Sequence, residues 1–78
     1  MADFTVRIPR ASVANTEATL IEVLIADGGH VDEGQALFVI ETEKVETEVD
    51  AGASGTVRWT GEVGTTYAVG TEIGMIEG

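Results

Sequence analysis

Residues 18–41 and 54–77 match without a gap at an offset of 36. Gly28 falls on Gly64, Gly34 on Gly70, Ile40 on Ile76 and Glu41 on Glu77. Apolar residues also fall on apolar residues: Ile21 on Val57, Val23 on Trp59, Val31 on Tyr67, Leu37 on Ile73 and Val39 on Met75. Each half reads as strand, glycine turn, short apolar touch, glycine turn, strand. A shorter echo sets Phe4, Val6 and Ile8 against Val45, Thr47 and Val49 at an offset of 41. The five extra residues are assigned to a longer first connection, around Arg10 to Asn15. Two similar halves of one chain pack naturally about a pseudo-twofold axis, and this restricts the fold more than any other feature.

The dominant period is two. Phe4, Val6 and Ile8 alternate with Thr5 and Arg7; Val45, Thr47 and Val49 alternate with Glu46, Glu48 and Asp50. Short runs of this kind between glycines read as an all-β domain. Residues 14–26 contain helix formers, but Thr16, Thr19, Ile21, Val23 and Ile25 are β-branched and Gly28-Gly29 follows, so this stretch reads as a strand. Ile21, Val23 and Ile25 are its expected alternating face, with Leu20 and Leu24 making it apolar on both sides. Alternating strands in two like halves imply two antiparallel sheets face to face, apolar side chains inward. The 78 residues are read as one domain, 1–78. There is no Cys, so disulfides and thiolate metal sites are excluded, and one His builds no metal site alone. A domain of this size hides only roughly 60% of its unfolded surface, so aliphatic packing must supply the core.

The formal net charge is −10, from 14 acids against 4 bases. Phosphate binding needs Lys and Arg, so nucleic acid and anionic membrane are poor partners. A basic partner surface and plain solubility both account for the acidity. No apolar run approaches the roughly 20 residues of a membrane span. The start, Met-Ala-Asp-Phe-Thr, lacks a basic stretch followed by an apolar one, so no secretory signal is read. The four bases are Arg7, Arg10, Lys44 and Arg58, which leaves one side-chain amine available for acylation.

That lysine lies between the two halves, in Glu41-Thr42-Glu43-Lys44-Val45-Glu46-Thr47-Glu48. An apolar run precedes it and an alternating run follows. The change of pattern places a tight turn at Glu43-Lys44 with the lysine outward; a type I turn needs no glycine. Glu41, Glu43, Glu46, Glu48 and Asp50 surround Lys44 in sequence. Nearby opposite charge favours the ammonium form. Catalytic lysines are instead desolvated or set beside cations, so no catalytic residue is read here. A lysine acylated by another enzyme fits, and a plain surface ion pair is the alternative. Acylation removes one positive charge and takes the net charge from −10 to −11.

On these residues the chain resembles a lipoyl domain of the biotinyl/lipoyl attachment family, over nearly its whole length. The resemblance is carried by Val31-Asp32-Glu33-Gly34-Gln35-Ala36-Leu37, Val39-Ile40-Glu41-Thr42-Glu43-Lys44-Val45, Glu48-Val49 and Ala53-Ser54-Gly55-Thr56-Val57. It implies a flattened barrel or sandwich of two four-stranded antiparallel sheets, with Lys44 at a β-hairpin tip and Gly34 and Gly55 as turn glycines. It implies lipoate in amide linkage to Lys44, with Glu41, Thr42, Glu43, Val45 and Glu46 as the recognition surface. The family usually has Asp before the lysine; Glu43 is a conservative departure. Biotinyl domains usually carry Met on both sides, where this chain has Glu43 and Val45, so biotin is the alternative cofactor. The implied role is a non-catalytic swinging arm carrying acyl groups and electrons in a 2-oxoacid or acetoin-type dehydrogenase complex. The implied partners are a lipoate ligase or lipoyl transferase, then the decarboxylase, acyltransferase and flavin dehydrogenase components. The expected location is the bacterial cytoplasm, or the mitochondrial matrix in a eukaryote. A free-standing carrier and an excised N-terminal domain both fit. A biotin carrier of a carboxylase and an unmodified protein-binding β-domain are the competing functions.

Other residues carry less. His30 is read as a solvated loop side chain, Ser12 and Ser54 as lacking a His/Asp arrangement, and Trp59 and Tyr67 as core. Because Lys44 is the sole lysine, Lys44→Arg should abolish acylation, read by intact mass, while circular dichroism stays that of the parent domain. Acylation retained in that variant would refute the assignment.

Overall fold

Period-two patterning becomes eight strands in the computed structural model, which describes residues 3–10, 16–43 and 45–78. They are β1 (Phe4–Arg7), β2 (Glu17–Val23), β3 (His30–Val31), β4 (Ala36–Glu41), β5 (Glu46–Asp50), β6 (Gly55–Trp59), β7 (Thr66–Ala68) and β8 (Glu72–Glu77). They form two four-stranded sheets with orders β1-β8-β6-β3 and β5-β4-β2-β7, every pairing antiparallel. The repeat relates them: β2, β3 and β4 map onto β6, β7 and β8, and β1 maps onto β5. One sheet order then becomes the other. No helix forms among the described residues, so the stretch around residues 17–23 is a strand as its β-branched content requires.

The turn glycines repeat as well. Gly28 and Gly64 take φ of 84° and 94°, and Gly34 and Gly70 take 88° and 92°. Side chains rarely adopt this region, so glycine at these four matched turns is a backbone requirement.

Two details differ from the sequence reading, and both concern register. Val6 pairs with Gly74 as Val49 pairs with Phe38, and Arg7 pairs with Glu72 as Asp50 pairs with Ala36. Phe4 likewise stands where Thr47 stands, so the first echo has an offset of 43 and not 41. The difference is two residues, one full period, so the faces are right and the positions slip by one pair. Alternation alone cannot detect such a slip, and it continues past the end of β5 into Val45. The connection around Arg10 to Asn15 that absorbs the extra length lies, from residue 11 to 15, outside the described residues, as does Ser12.

The second difference is in β2. Leu20 pairs with Ile40, but the next pair is Glu22 with Val39, so Ile21 is a bulge. Leu20 therefore takes the place of Val57, which pairs with Ile76; Ile21 does not, contrary to the gapless alignment. The loop hydrogen bonds agree. Gly64 N–H donates to the Leu20 carbonyl as Gly28 N–H donates to that of Val57, both at 2.7 Å. The extra residue shifts the inward phase of the strand. Ala18 and Leu20 face the core before it; Val23 and Ile25 pack against the core after it. This is why the segment looked apolar on both faces.

A matched pair of bulges explains the continuous run Leu37-Phe38-Val39-Ile40. Ala36 pairs with Asp50 and Phe38 with Val49, which skips Leu37; Glu72 and Gly74 pair with Arg7 and Val6, which skips Ile73. Leu37 and Ile73 are both buried in the core. Leu37, Phe38 and Ile40 all reach the core, whereas Val39, 8% exposed, lies on the outer face between Glu22 and Glu48.

The core is entirely apolar: Val6, Ile8, Ala18, Leu20, Val31, Leu37, Phe38, Ile40, Ala51, Val57, Ile73 and Ile76. Trp59 meets Phe38 edge to face at a 5.9 Å centroid separation, and its indole N–H donates to the Ile25 carbonyl at 2.8 Å. Tyr67 packs against the core while its hydroxyl accepts the Glu62 N–H at 2.8 Å. Both aromatics thus bury a ring and satisfy a polar end at the rim. Phe38→Ala should lower unfolding free energy by about 3–5 kcal/mol, a large part of the roughly 5–15 kcal/mol of a typical domain. Urea unfolding followed by the single tryptophan checks this.

Candidate functional site

β4 and β5 form a hairpin whose last strand pair is Glu41 with Glu46. Beyond it, the Thr42 N–H donates to the Val45 carbonyl at 2.9 Å, and the Thr42 hydroxyl lies 3.5 Å from the same oxygen. The ribbon therefore turns between Thr42 and Val45, with Glu43 the first residue of the turn. No non-glycine residue among those described has a positive φ. Glu43, first in the loop, thus excludes the I′ and II′ turns, which both require positive φ there. The turn begins as the sequence placed it. Lys44, the expected attachment residue, lies outside the described residues.

The five expected recognition residues come together around this loop. Glu41, Glu43, Val45 and Glu46 are exposed and Thr42 is half-buried. Val45 is 54% exposed. Strand alternation divides them. Glu41 and Glu46 point outward from the sheet; Thr42 and Val45 point to the opposite side of the ribbon.

The outer side is electrostatically unbalanced. Glu41 and Glu46 face each other directly in the pair next to the hydrogen-bonded Thr42–Val45 pair, the closer kind of cross-strand approach. Like charges so placed oppose strand pairing. Glu48 and Asp50 continue the same face of β5. Two of the described bases, Arg7 and Arg58, are on β1 and β6 of the other sheet, where Arg58 Nε meets Glu77 Oε1 at 3.2 Å. Among the described residues neither Glu41 nor Glu46 has a basic partner.

Sequence spacing did not reveal which residues extend this face. Thr19 pairs with Glu41 on one side and with Thr66 on the other, and the two threonine hydroxyls are 2.8 Å apart. The row at the hairpin end of the sheet is thus Glu46, Glu41, Thr19, Thr66. A one-residue gap placing Leu20 on Val57 would have disclosed it. The remaining candidates stay peripheral. His30 is exposed, with Nε2 2.9 Å from Asp32 Oδ1, and Ser54 accepts the Glu33 N–H at 2.8 Å as a loop staple.

Residues 4–76, most of the chain, match the biotin/lipoyl family described as "Biotin-requiring enzyme". The chain belongs to the biotinyl/lipoyl attachment family. This attachment domain is 39% identical over 54 residues to the dihydrolipoyllysine-residue acetyltransferase component of a pyruvate dehydrogenase complex from Mycoplasma capricolum subsp. capricolum. That match covers 69% of this chain and 12% of the relative. It is 42% identical over 52 residues to the biotin carboxyl carrier protein of Streptococcus mutans serotype c, covering 60% of this chain and 40% of that protein. The chain spans less than half the length of each relative. The local structure of the attachment domain fits a covalently carried group: Glu43 and Val45 stand in solvent on either side of the lysine, at a loop braced by Thr42.

Replacing one member of the facing glutamates relieves their repulsion. Glu46→Gln should raise stability by about 0.2–1 kcal/mol at low ionic strength, and the gain should shrink in high salt as the charges are screened. Thermal unfolding at two salt concentrations checks both the sign and the salt dependence.

Proposed function

We propose that this domain is a lipoyl carrier, acylated on Lys44 and moving acyl groups and electrons between the active sites of a 2-oxoacid or acetoin-type dehydrogenase complex. The observation that carries this reading is the hairpin turn between Thr42 and Val45, where Glu43 and Val45, the chain neighbours of the sole lysine, are exposed. Supporting it are the relative described as a dihydrolipoyllysine-residue acetyltransferase component, and the Glu43 and Val45 neighbours in place of the methionines usual beside a biotinylated lysine.

The domain itself breaks no substrate bond in this reading. A bound dithiolane supplies the acyl- and electron-transfer chemistry. The chain's own part is mechanical and electrostatic. β4 and β5 form the hairpin whose turn contains the attachment point. Tethering then keeps the cargo at high effective concentration near each partner active site. Glu41, Thr42, Glu43, Val45 and Glu46 are the surface the modifying enzyme and the complex components read.

The likeness to a biotin carboxyl carrier protein favours a second reading, in which the same lysine carries biotin for a carboxylase. Intact mass after co-expression with a lipoate ligase, and separately with a biotin ligase, separates the two. A lipoyl adduct with the first and none with the second is the expected result. The opposite pattern makes it a biotin carrier, and an unmodified chain with both removes the carrier function.

A further inference from the structure

The pseudo-twofold axis gives this domain an internal control, because each position on one sheet has a matched position on the other. Packing holds the inner faces alike and leaves the outer faces free to differ, and they do differ. Arg58 pairs with Met75 in the first sheet, and its matched residue in the hairpin sheet is Glu22, paired with Val39. Thr5 pairs with Met75 on its other side, and its match is Glu48. Glu77 has Arg58 beside it, whereas its match, Glu41, has Glu46 opposite. The hairpin sheet thus carries Glu22, Glu41, Glu46 and Glu48 outward, where the other sheet mixes charges.

The backbone differs at the same place. β6 pairs with β8 without interruption from Thr56 to Trp59, whereas β2 has the Ile21 bulge. A one-residue shift exchanges the faces of a strand. Without the bulge, Leu20 would point outward beside Glu41 and Thr19 would point into the core. The bulge instead presents a small hydroxyl, in a row running from Glu46 through Glu41 and Thr19 to Thr66.

Resting on the carrier reading, we infer that the enzyme that acylates Lys44 docks on the outer face of the sheet β5-β4-β2-β7. Its basic rim lies against Glu22, Glu41, Glu46 and Glu48, and its hydrogen-bonding groups meet the Thr19–Thr66 hydroxyl pair. The surface is continuous with the loop that contains the lysine, so an enzyme reaching that amine from this side necessarily covers it. The charge supplies complementarity for a cationic partner, and the small Thr19–Thr66 hydroxyl pair admits close approach. Thr19 and Thr66 are therefore specificity-determining residues, although neither lies near Lys44 in sequence.

The test uses matched variants of the whole 78-residue chain. Thr56 is the pseudo-symmetric counterpart of Thr19, paired with Glu77 on one side and His30 on the other. Arginine is used because a new lysine would confuse the mass shift. Initial rates of Lys44 modification are read by intact mass with purified lipoate ligase and with purified biotin ligase. For whichever ligase modifies the parent chain, Thr19→Arg should slow modification by about tenfold or more, while Thr56→Arg stays within about twofold. Thr66→Arg, on the exposed edge strand, should give the same loss and carries the test if Thr19→Arg does not fold. Parent rates should also fall as salt rises. Equal rates for the Thr19, Thr66 and Thr56 variants, whether all fast or all slow, overturn the docking face. A parent rate indifferent to salt overturns the basic rim. A parent chain modified by neither ligase is a distinct outcome: the carrier reading itself then falls, and this inference with it.

Discussion

The inner faces of the two sheets must fill one another with aliphatic side chains, since the chain has no cysteine and no charged residue is buried among the described residues. Leu20 and Ile40 on one sheet do what Val57 and Ile76 do on the other, and Leu37 is matched by Ile73. A chain this small buries too little surface to tolerate a poorly filled layer. Using the same solution twice allows two short halves to close one core. Strand order, turn glycines and the position of the hairpin all follow from keeping those apolar positions opposed.

The bulges show how that constraint is met where simple alternation fails. A strand with strict period two presents every second residue to the core. Leu37 with Phe38, and Gly74 beside Ile73, break that rule in the same way in both halves. Each break adds a buried aliphatic residue without lengthening the sheet. The third bulge, at Ile21, has no counterpart. It keeps Leu20 in the core, and it also determines which side chain stands beside Glu41 on the outside. Packing and surface chemistry are thus coupled through one inserted residue.

The core leaves the hairpin end free to be polar. Ile40 is the last core residue of β4, and beyond it the Thr42 N–H donates to the Val45 carbonyl and closes the ribbon. Opposed glutamates next to that bond weaken local pairing, and the domain tolerates them because its stability resides in the sandwich. An exposed, acidic hairpin turn carried by the sandwich suits membership of the biotinyl/lipoyl attachment family.

Much of this was legible from residue order. The glycines at 28, 34, 64 and 70 announced the repeat. The change of pattern around Glu43 announced the turn, and the repeat implied two facing sheets. Those features are local or periodic, and local chemistry survives in the sequence. Register did not survive in the same way. The offset of 43 for β1 and β5 and the substitution of Leu20 for Ile21 opposite Ile40 depend on hydrogen bonds between distant strands. A period-two pattern is unchanged by a slip of two, and a bulge is invisible to a gapless match. Residue order alone therefore determined that this chain is a two-fold β-sandwich whose halves are joined by a hairpin turn at Glu43. Only the tertiary structure decided which residues share the face around that turn, because cross-strand pairing, not chain neighbourhood, sets who stands beside Glu41.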